Sequence, residues 1–188
     1  MRNTSNPTTA ALEAKLASLE GAESAIASAS GMAAVSASLL AHLKAGDHLV
    51  IADDLFIISQ LLFAEDFPTR GIEVTPVAIT DLDAVRAAMR PNTRVIYAEV
   101  LSNPWMRVSD IPALSKIAHA SKALLVIDNT FLSPAVVRPL ELGADLVLHA
   151  TTKWLAGHGD AIGGVASGAK ALVDPIRRQT DLLGQAAS

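Results

Sequence analysis

Cysteine is absent from this chain, so neither a disulfide nor a thiolate-ligated metal can form. That composition suits a reducing compartment, and a cytoplasmic protein is the expectation. Aromatic residues make up only 4% of the sequence, so the core is expected to consist of small and aliphatic side chains. There is no excess of positive charge: 15 Lys and Arg stand against 19 Asp and Glu, for a net charge of −4. The basic residues are scattered, which argues against a nucleic-acid partner. No apolar run reaches the roughly 18 to 20 residues of a membrane span. The opening MRNTSNPTTAALEAK is polar and lacks the apolar stretch of a secretory signal. What the chain has is length and apolar content: 188 residues, 51% hydrophobic, enough for one globular domain with a sizeable core.

Several catalytic signatures are also missing. No GxxxxGK[ST] phosphate loop, GxSxG elbow or HExxH pair occurs. Gly157-His158-Gly159 opens like a dinucleotide fingerprint, but Ile162 stands where the third glycine would fall. The five histidines are scattered, which gives a metal site little support.

Apolar periodicity predicts strands alternating with helices. Thr8 or Thr9 can cap a helix running to Glu20, with Leu12, Leu16 and Leu19 on one face. Helices are further expected over Met32 to His42, Leu55 to Phe67, Leu82 to Met89 behind Asp81, Ile111 to Ala120, and Pro175 to Leu183. Strands are expected over His48 to Ala52, Glu73 to Ala78, Arg94 to Val100, Ala123 to Ile127, Asp145 to His149, and Ile162 to Ser167. The continuous run ALLVI is the mark of a strand buried on both faces. The pattern implies an α/β layer fold with a mostly parallel sheet flanked by helices. In such folds ligands sit beyond the carboxyl ends of the strands.

The residues to weigh therefore follow strand ends. They are Glu99 to Pro104 after RVIYA, Asp128-Asn129-Thr130 after ALLVI, and His149 to Lys153 after DLVL. Ser30-Gly31-Met32 stands at an expected helix start, where free amides can meet an anion. Each has a plain alternative. Lys153 alone reads as a solvated surface lysine, Asp128 as a turn former, Ser30-Gly31 as an ordinary helix start, and His149 as a half-buried, hydrogen-bonded histidine. Taken together they supply a lysine, a carboxylate, an amide, hydroxyls and free N–H groups. Those are the parts needed to hold an anionic aromatic cofactor.

NPTTAALEAKLASLEGAESAIASASGMAAV, VIDNTFLSP and GADLVLHATTKWLAGHGDAIGGV together resemble the Cys/Met-metabolism (trans-sulfuration) family of pyridoxal-phosphate enzymes. That family includes cystathionine synthases and lyases, methionine γ-lyase and O-acyl-homoserine sulfhydrylases. The resemblance covers nearly the whole chain. It implies the large, cofactor-binding domain of the fold type I pyridoxal-phosphate-dependent transferases, over residues 1–188. It also implies pyridoxal 5′-phosphate as cofactor, bonded through Lys153. Asp128 would pair with the pyridine nitrogen, and Gly31, Met32 and Thr152 would hold the phosphate. Asn103 would lie beside the ring hydroxyl, and Phe56 would stand over the ring. The implied partners are a small amino-acid substrate and further copies of the chain, the segment from Met1 to Thr8 being the part that crosses between subunits.

The chain departs from the family pattern at four places. Met1 and Asn3 stand where a tyrosine and an arginine usually reach a neighbour's phosphate. Phe56 replaces a tyrosine and has no hydroxyl to donate. Ala150 replaces the serine of the usual HSATK. A smaller C-terminal domain, normally the source of the arginine that grips the substrate carboxylate, and an N-terminal arm are expected to lie outside this sequence. Two readings follow: carbon–sulfur chemistry by β- or γ-elimination or replacement, or a non-catalytic relative that keeps the fold and binds the cofactor.

Overall fold

The computed structural model describes residues 6–187. Its first helix, α1 (Pro7–Glu20), is capped by Asn6 rather than by Thr8 or Thr9. The Asn6 side chain accepts the Thr8 N–H at 2.9 Å, and Pro7 occupies the first turn, where its missing N–H costs nothing. Gly21, at φ 69°, closes the helix in the left-handed conformation that glycine adopts without a side-chain penalty. Of the expected leucine face only Leu16 is buried; Leu12 and Leu19 remain exposed.

Among the described residues seven strands form one sheet: β1 (Ser24–Ser28), β2 (His48–Ala52), β3 (Glu73–Val77), β4 (Thr93–Glu99), β5 (Leu124–Asp128), β6 (Leu146–Ala150) and β7 (Gly164–Gly168). Their order across the sheet is β1-β7-β6-β5-β4-β2-β3. The five strands from β6 to β3 are parallel neighbours, while β7 runs antiparallel to both β6 and β1. The mostly parallel α/β architecture expected from the sequence is therefore the observed one. Successive residues of a strand point to opposite faces, and β2, β6 and β7 are buried along almost their whole length. Both faces of the sheet are thus covered, as a parallel sheet requires.

The covering helices are α2 (Gly31–His42), α3 (Ile57–Leu61), α4 (Phe67–Thr69), α5 (Leu82–Ala88), α6 (Ile111–Ala120), α7 (Ser133–Val136) and α8 (Lys170–Leu182). Helix α2 lies across β6 and β7 and against α8, whereas α6 packs on β4 and β5. The chain steps outward from β2 to β3, then returns to the other side of β2 to lay down β4, β5 and β6. Strand order reverses between β2 and β4, and a crevice opens at such a switch point. The core is aliphatic, as the scarcity of aromatics implied; its buried rings are Phe63, Phe67 and Tyr97, with Phe63 edge-on to the other two.

Several expected elements differ. The single helix from Leu55 to Phe67 is broken: Leu55 and Phe56 belong to the preceding loop, and Leu62–Asp66 is a π-helical turn between α3 and α4. π-turns of this kind are often found beside functional sites. The last helix begins at Lys170, not Pro175, so the proline lies inside it. Strand β1 went unforeseen because SAIAS has a single β-branched residue, Ile26, among alanines and serines. The segment 162–167 starts its strand only at Gly164.

One polar cluster is buried beneath the carboxyl ends of β5 and β6. Glu20, at the end of α1, pairs with His149, and both side chains are 2% exposed. Asn129 donates to the same carboxylate at 3.4 Å and to the Val137 carbonyl at 2.9 Å. His149 is thus fully buried rather than half-buried, and it ties α1 to β6.

Helix α2 meets the end of β6 with no space to spare. A Cβ built on Gly31 would fall 2.6 Å from Ala150 Cβ and 3.0 Å from its Cα. Gly31→Ala is therefore expected to lower unfolding free energy by about 1 to 3 kcal/mol through overpacking. Urea denaturation at neutral pH reads the change, and an unchanged midpoint would contradict the contact.

Candidate active site

Four segments build the site, and the loop after β2 adds Phe56 to it. The first begins α2. Ser30 caps the helix by accepting the Ala33 N–H on its hydroxyl at 3.1 Å, so the next amides, Gly31 and Met32, have no intrahelical acceptor. The close contact of Gly31 with Ala150 brings these amides to the end of β6. They form a ready anion-binding end of a twelve-residue helix.

The second and third loops follow β4 and β5. Residues Glu99 and Asp128 are register partners across these parallel strands, so their side chains share a face, one strand spacing apart. Asp128 accepts the Thr130 N–H at 2.9 Å on one oxygen and the Tyr97 hydroxyl at 3.4 Å on the other. Burial pushes its carboxyl above the usual range, while Thr130, the nearby His149 and Tyr97 hold it down. Glu99 is worse placed for charge. Burial drives its carboxyl up to about 8, against the pull of the Phe56 amide, and the carboxylates of Asp128 and Asp54 push it further. It accepts the Phe56 N–H at 2.7 Å, and its other oxygen, Oε2, is buried with no hydrogen-bond partner among the described residues.

The fourth loop leaves β6. The Ala150 N–H donates to the Thr130 hydroxyl at 2.8 Å, which links the ends of β5 and β6. Thr152 exchanges hydrogen bonds with the backbone of Gly163, at 3.3 and 3.5 Å. Lys153 follows, its backbone N–H bonded to the Ala150 carbonyl at 3.2 Å.

All seven residues singled out from the sequence line one cavity of about 280 Å³: Gly31, Met32, Phe56, Asn103, Asp128, Thr152 and Lys153. The described structure scatters none of them. Ser30, Glu99 and Thr130, weighed as strand-end or helix-start residues without a role, line it too. Ser59, Phe131 and Ile162 were missed, since nothing in their local sequence distinguishes them from packing residues. Glu99 had a signal: a carboxylate closing the apolar run Val95 to Ala98 is an odd thing to bury. The cavity thus joins a lysine amine, a buried carboxylate, unbonded helix amides and an apolar wall. That donor set fits an anionic aromatic cofactor carrying an aldehyde. The arginines after Lys153 are less available: Arg177 is bound to Glu13 at 3.0 Å and to the Ala25 carbonyl at 2.9 Å.

Comparison with known proteins agrees with this chemistry. Residues 2–188 match the family model described as Cys/Met metabolism PLP-dependent enzyme. The chain is 48% identical over 167 residues to a canavanine gamma-lyase of Pseudomonas canavaninivorans, covering 88% of this chain and 42% of that protein. It is 47% identical over 173 residues to an L-methionine gamma-lyase of Fusobacterium nucleatum subsp. polymorphum, covering 92% and 44%. It is 47% identical over 161 residues to a cystathionine gamma-synthase of Mycobacterium tuberculosis, covering 86% and 42%. A crystal structure of cystathionine gamma-lyase from Lactobacillus plantarum, complexed with L-serine, superposes with a TM-score of 0.95 at 39% identity. It covers 98% of this chain and 49% of that one. The chain spans less than half the length of the curated relatives it matches, and it belongs to the Cys/Met-metabolism family of PLP-dependent enzymes.

Proposed function

We propose that this chain is the cofactor-binding unit of an enzyme that uses pyridoxal 5′-phosphate to eliminate or replace a group on the β- or γ-carbon of an amino acid. The observation that carries the reading is one cavity lined by Lys153, Asp128 and the amino end of α2. Relatives are named for methionine, cystathionine and canavanine. Sulfur amino acids or homoserine esters are the substrate class we favour. When bound, the cofactor supplies an electron sink for the substrate's α-carbon.

The chain's own residues then have distinct tasks. The Gly31 and Met32 amides and the Thr152 hydroxyl bind phosphate at the helix end. Asp128 would hold a negative charge toward the pyridine nitrogen. Asn103 would lie on the side of the ring hydroxyl. Phe56 would cover the ring and exclude water from it. The Lys153 amine holds the cofactor and afterwards moves the substrate's α-proton.

Phe56 bears on the second reading, a relative that binds the cofactor with little turnover. A phenyl ring gives no proton to a leaving group, and such help is worth about 10² to 10⁴-fold. Self-association belongs to the same proposal. Phe56, Ile57, Trp154 and Ile162, at or beside the cavity lining, are 45 to 78% exposed, an apolar rim that a second copy can cover. The crossing segment at Met1 to Thr8 falls largely outside the described residues. No described helix is long and apolar enough to cross a membrane, and we favour a cytoplasmic location.

Protein mixed with pyridoxal phosphate should acquire a visible absorbance band, and borohydride should fix the cofactor to Lys153, as read by peptide mass spectrometry. A Lys153→Ala chain that carries the same covalent adduct would sink this reading.

Release of α-keto acid from methionine, cystathionine and O-acetyl-homoserine by this chain alone should fall well below typical enzyme rates of roughly 1 to 10³ per second. Rates within that range would discard the low-turnover reading and leave the catalytic one.

A further inference from the structure

Glu99 is a buried acid to which the reading above gives no task. It is 7% exposed and lines the cavity. Its register partner is Asp128. We propose that Glu99 and Asp128 hold one proton between them, carried by Glu99, so that Asp128 is the charged carboxylate and Glu99 a neutral positioning residue that anchors the Phe56 loop. The proposal deepens the reading of the same site, and rests on it only for what Asp128 faces.

The division of roles follows from the partners of each acid. Two carboxylates one strand spacing apart in a water-poor crevice do not both ionise readily. Asp128 has two hydrogen-bond donors, Thr130 N–H and Tyr97 hydroxyl, and His149 nearby lowers the cost of its charge. Glu99 makes one full hydrogen bond, accepting the Phe56 N–H on Oε1, and the Asn103 amide eases its charge more weakly. Its Oε2 has no hydrogen-bond partner among the described residues, and that is the oxygen left to carry the proton. The nearby carboxylates oppose its ionisation: Asp54 reaches it from the loop after β2 and Asp128 from β5. Tyr97, on its own strand, is itself held neutral by burial and gives its hydroxyl to Asp128. Arg107 stands 3.7 Å from Asp54 and offsets part of that charge, while Lys153 lines the same cavity. Burial and these neighbours together push Glu99 up to about 8.

Neutral Glu99 has two consequences. Its Oε1 fixes the backbone at Phe56, and hence the ring over the cavity, without adding charge beside the cofactor. It also leaves Asp128 as the charged member of the pair across β4 and β5. Pairs of acids in this arrangement titrate as a unit, so the protonated form is set by both strands together.

The test needs no bound cofactor. Infrared difference spectra of the full chain, titrated from about pH 5 to 10, should show the C=O stretch of one buried carboxylic acid at neutral pH. That band should vanish with a midpoint near 8. Glu99→Gln, which keeps an oxygen for the Phe56 N–H, should lack the band. In Asp128→Asn the like charge is gone, and the midpoint should fall by about one pH unit or more.

Thermal melts give a second readout. Between the ordinary carboxyl value of 4.5 and about 8, the folded chain binds one proton more than the unfolded chain. Wild-type stability is thus fully present below that window and falls as pH rises through it. The Glu99→Gln melting temperature should therefore climb relative to wild type from about pH 5 to 8.

No band at neutral pH, a band retained in Glu99→Gln, or an unmoved midpoint in Asp128→Asn overturns the proposal. If Glu99→Gln fails to fold, the Asp128→Asn midpoint decides alone. Failure to bind pyridoxal phosphate with these infrared results intact would count against the proposed function and leave the shared proton standing.

Discussion

The first turn of α2 lies against the end of β6, and the rest of the site depends on that approach. It is possible only because position 31 has no side chain: a Cβ there would overlap Ala150. The contact has two products. It aims unbonded amides from α2 into the crevice, and it fixes the residue from which the chain sets out toward Thr152 and Lys153. An anion-binding helix end and an amine thereby share one wall. Ala150, where the family resemblance implies a serine, puts no hydroxyl on that wall, and the hydroxyls of Ser30, Thr130 and Thr152 line the cavity instead.

A second set of contacts holds the strand ends beneath the site. Glu20, His149 and Asn129 form a buried cluster that joins the end of α1 to the ends of β5 and β6. Leaving a buried polar group without its partner costs about 1 to 3 kcal/mol, so this cluster resists relative movement of the two strands. Asn129 and His149 each flank a residue of the cavity, Asp128 and Ala150. Helix α1 thus contributes to the site although it lines no part of it. His149 also makes the buried charge on Asp128 less costly. Asp128, with two donors and this neighbour, is equipped to stay charged in a place where Glu99 is not.

Much of this was legible in the sequence. The buried strands announced themselves as apolar runs, ALLVI above all, and their alternation with helices gave the parallel sheet. The strand-end rule then selected Asp128 and Lys153, and Ser30-Gly31 read as a helix start. The failures have physical causes. SAIAS has no apolar–polar alternation, and apart from Ile26 its side chains are too small to signal β1. The π-turn at Leu62–Asp66 carries Phe63, which packs edge-on against both Phe67 and Tyr97, tertiary contacts that no helical period reveals. Glu20 reads as an ordinary helix end, yet it is among the most buried acids of the chain, because its partner is 129 residues away. The pairing of Glu99 with Asp128 depends on strand register, which local sequence does not determine.

The central claim is that Asp128 keeps its charge in order to hold a proton on the pyridine nitrogen of a cofactor bonded to Lys153. Nitrogen-15 NMR of the chain loaded with ring-labelled pyridoxal phosphate reads that proton directly. At neutral pH the wild-type spectrum should show a protonated pyridine nitrogen, and Asp128→Ala, still bonded at Lys153, should show it unprotonated. A nitrogen that stays protonated in Asp128→Ala would contradict the claim.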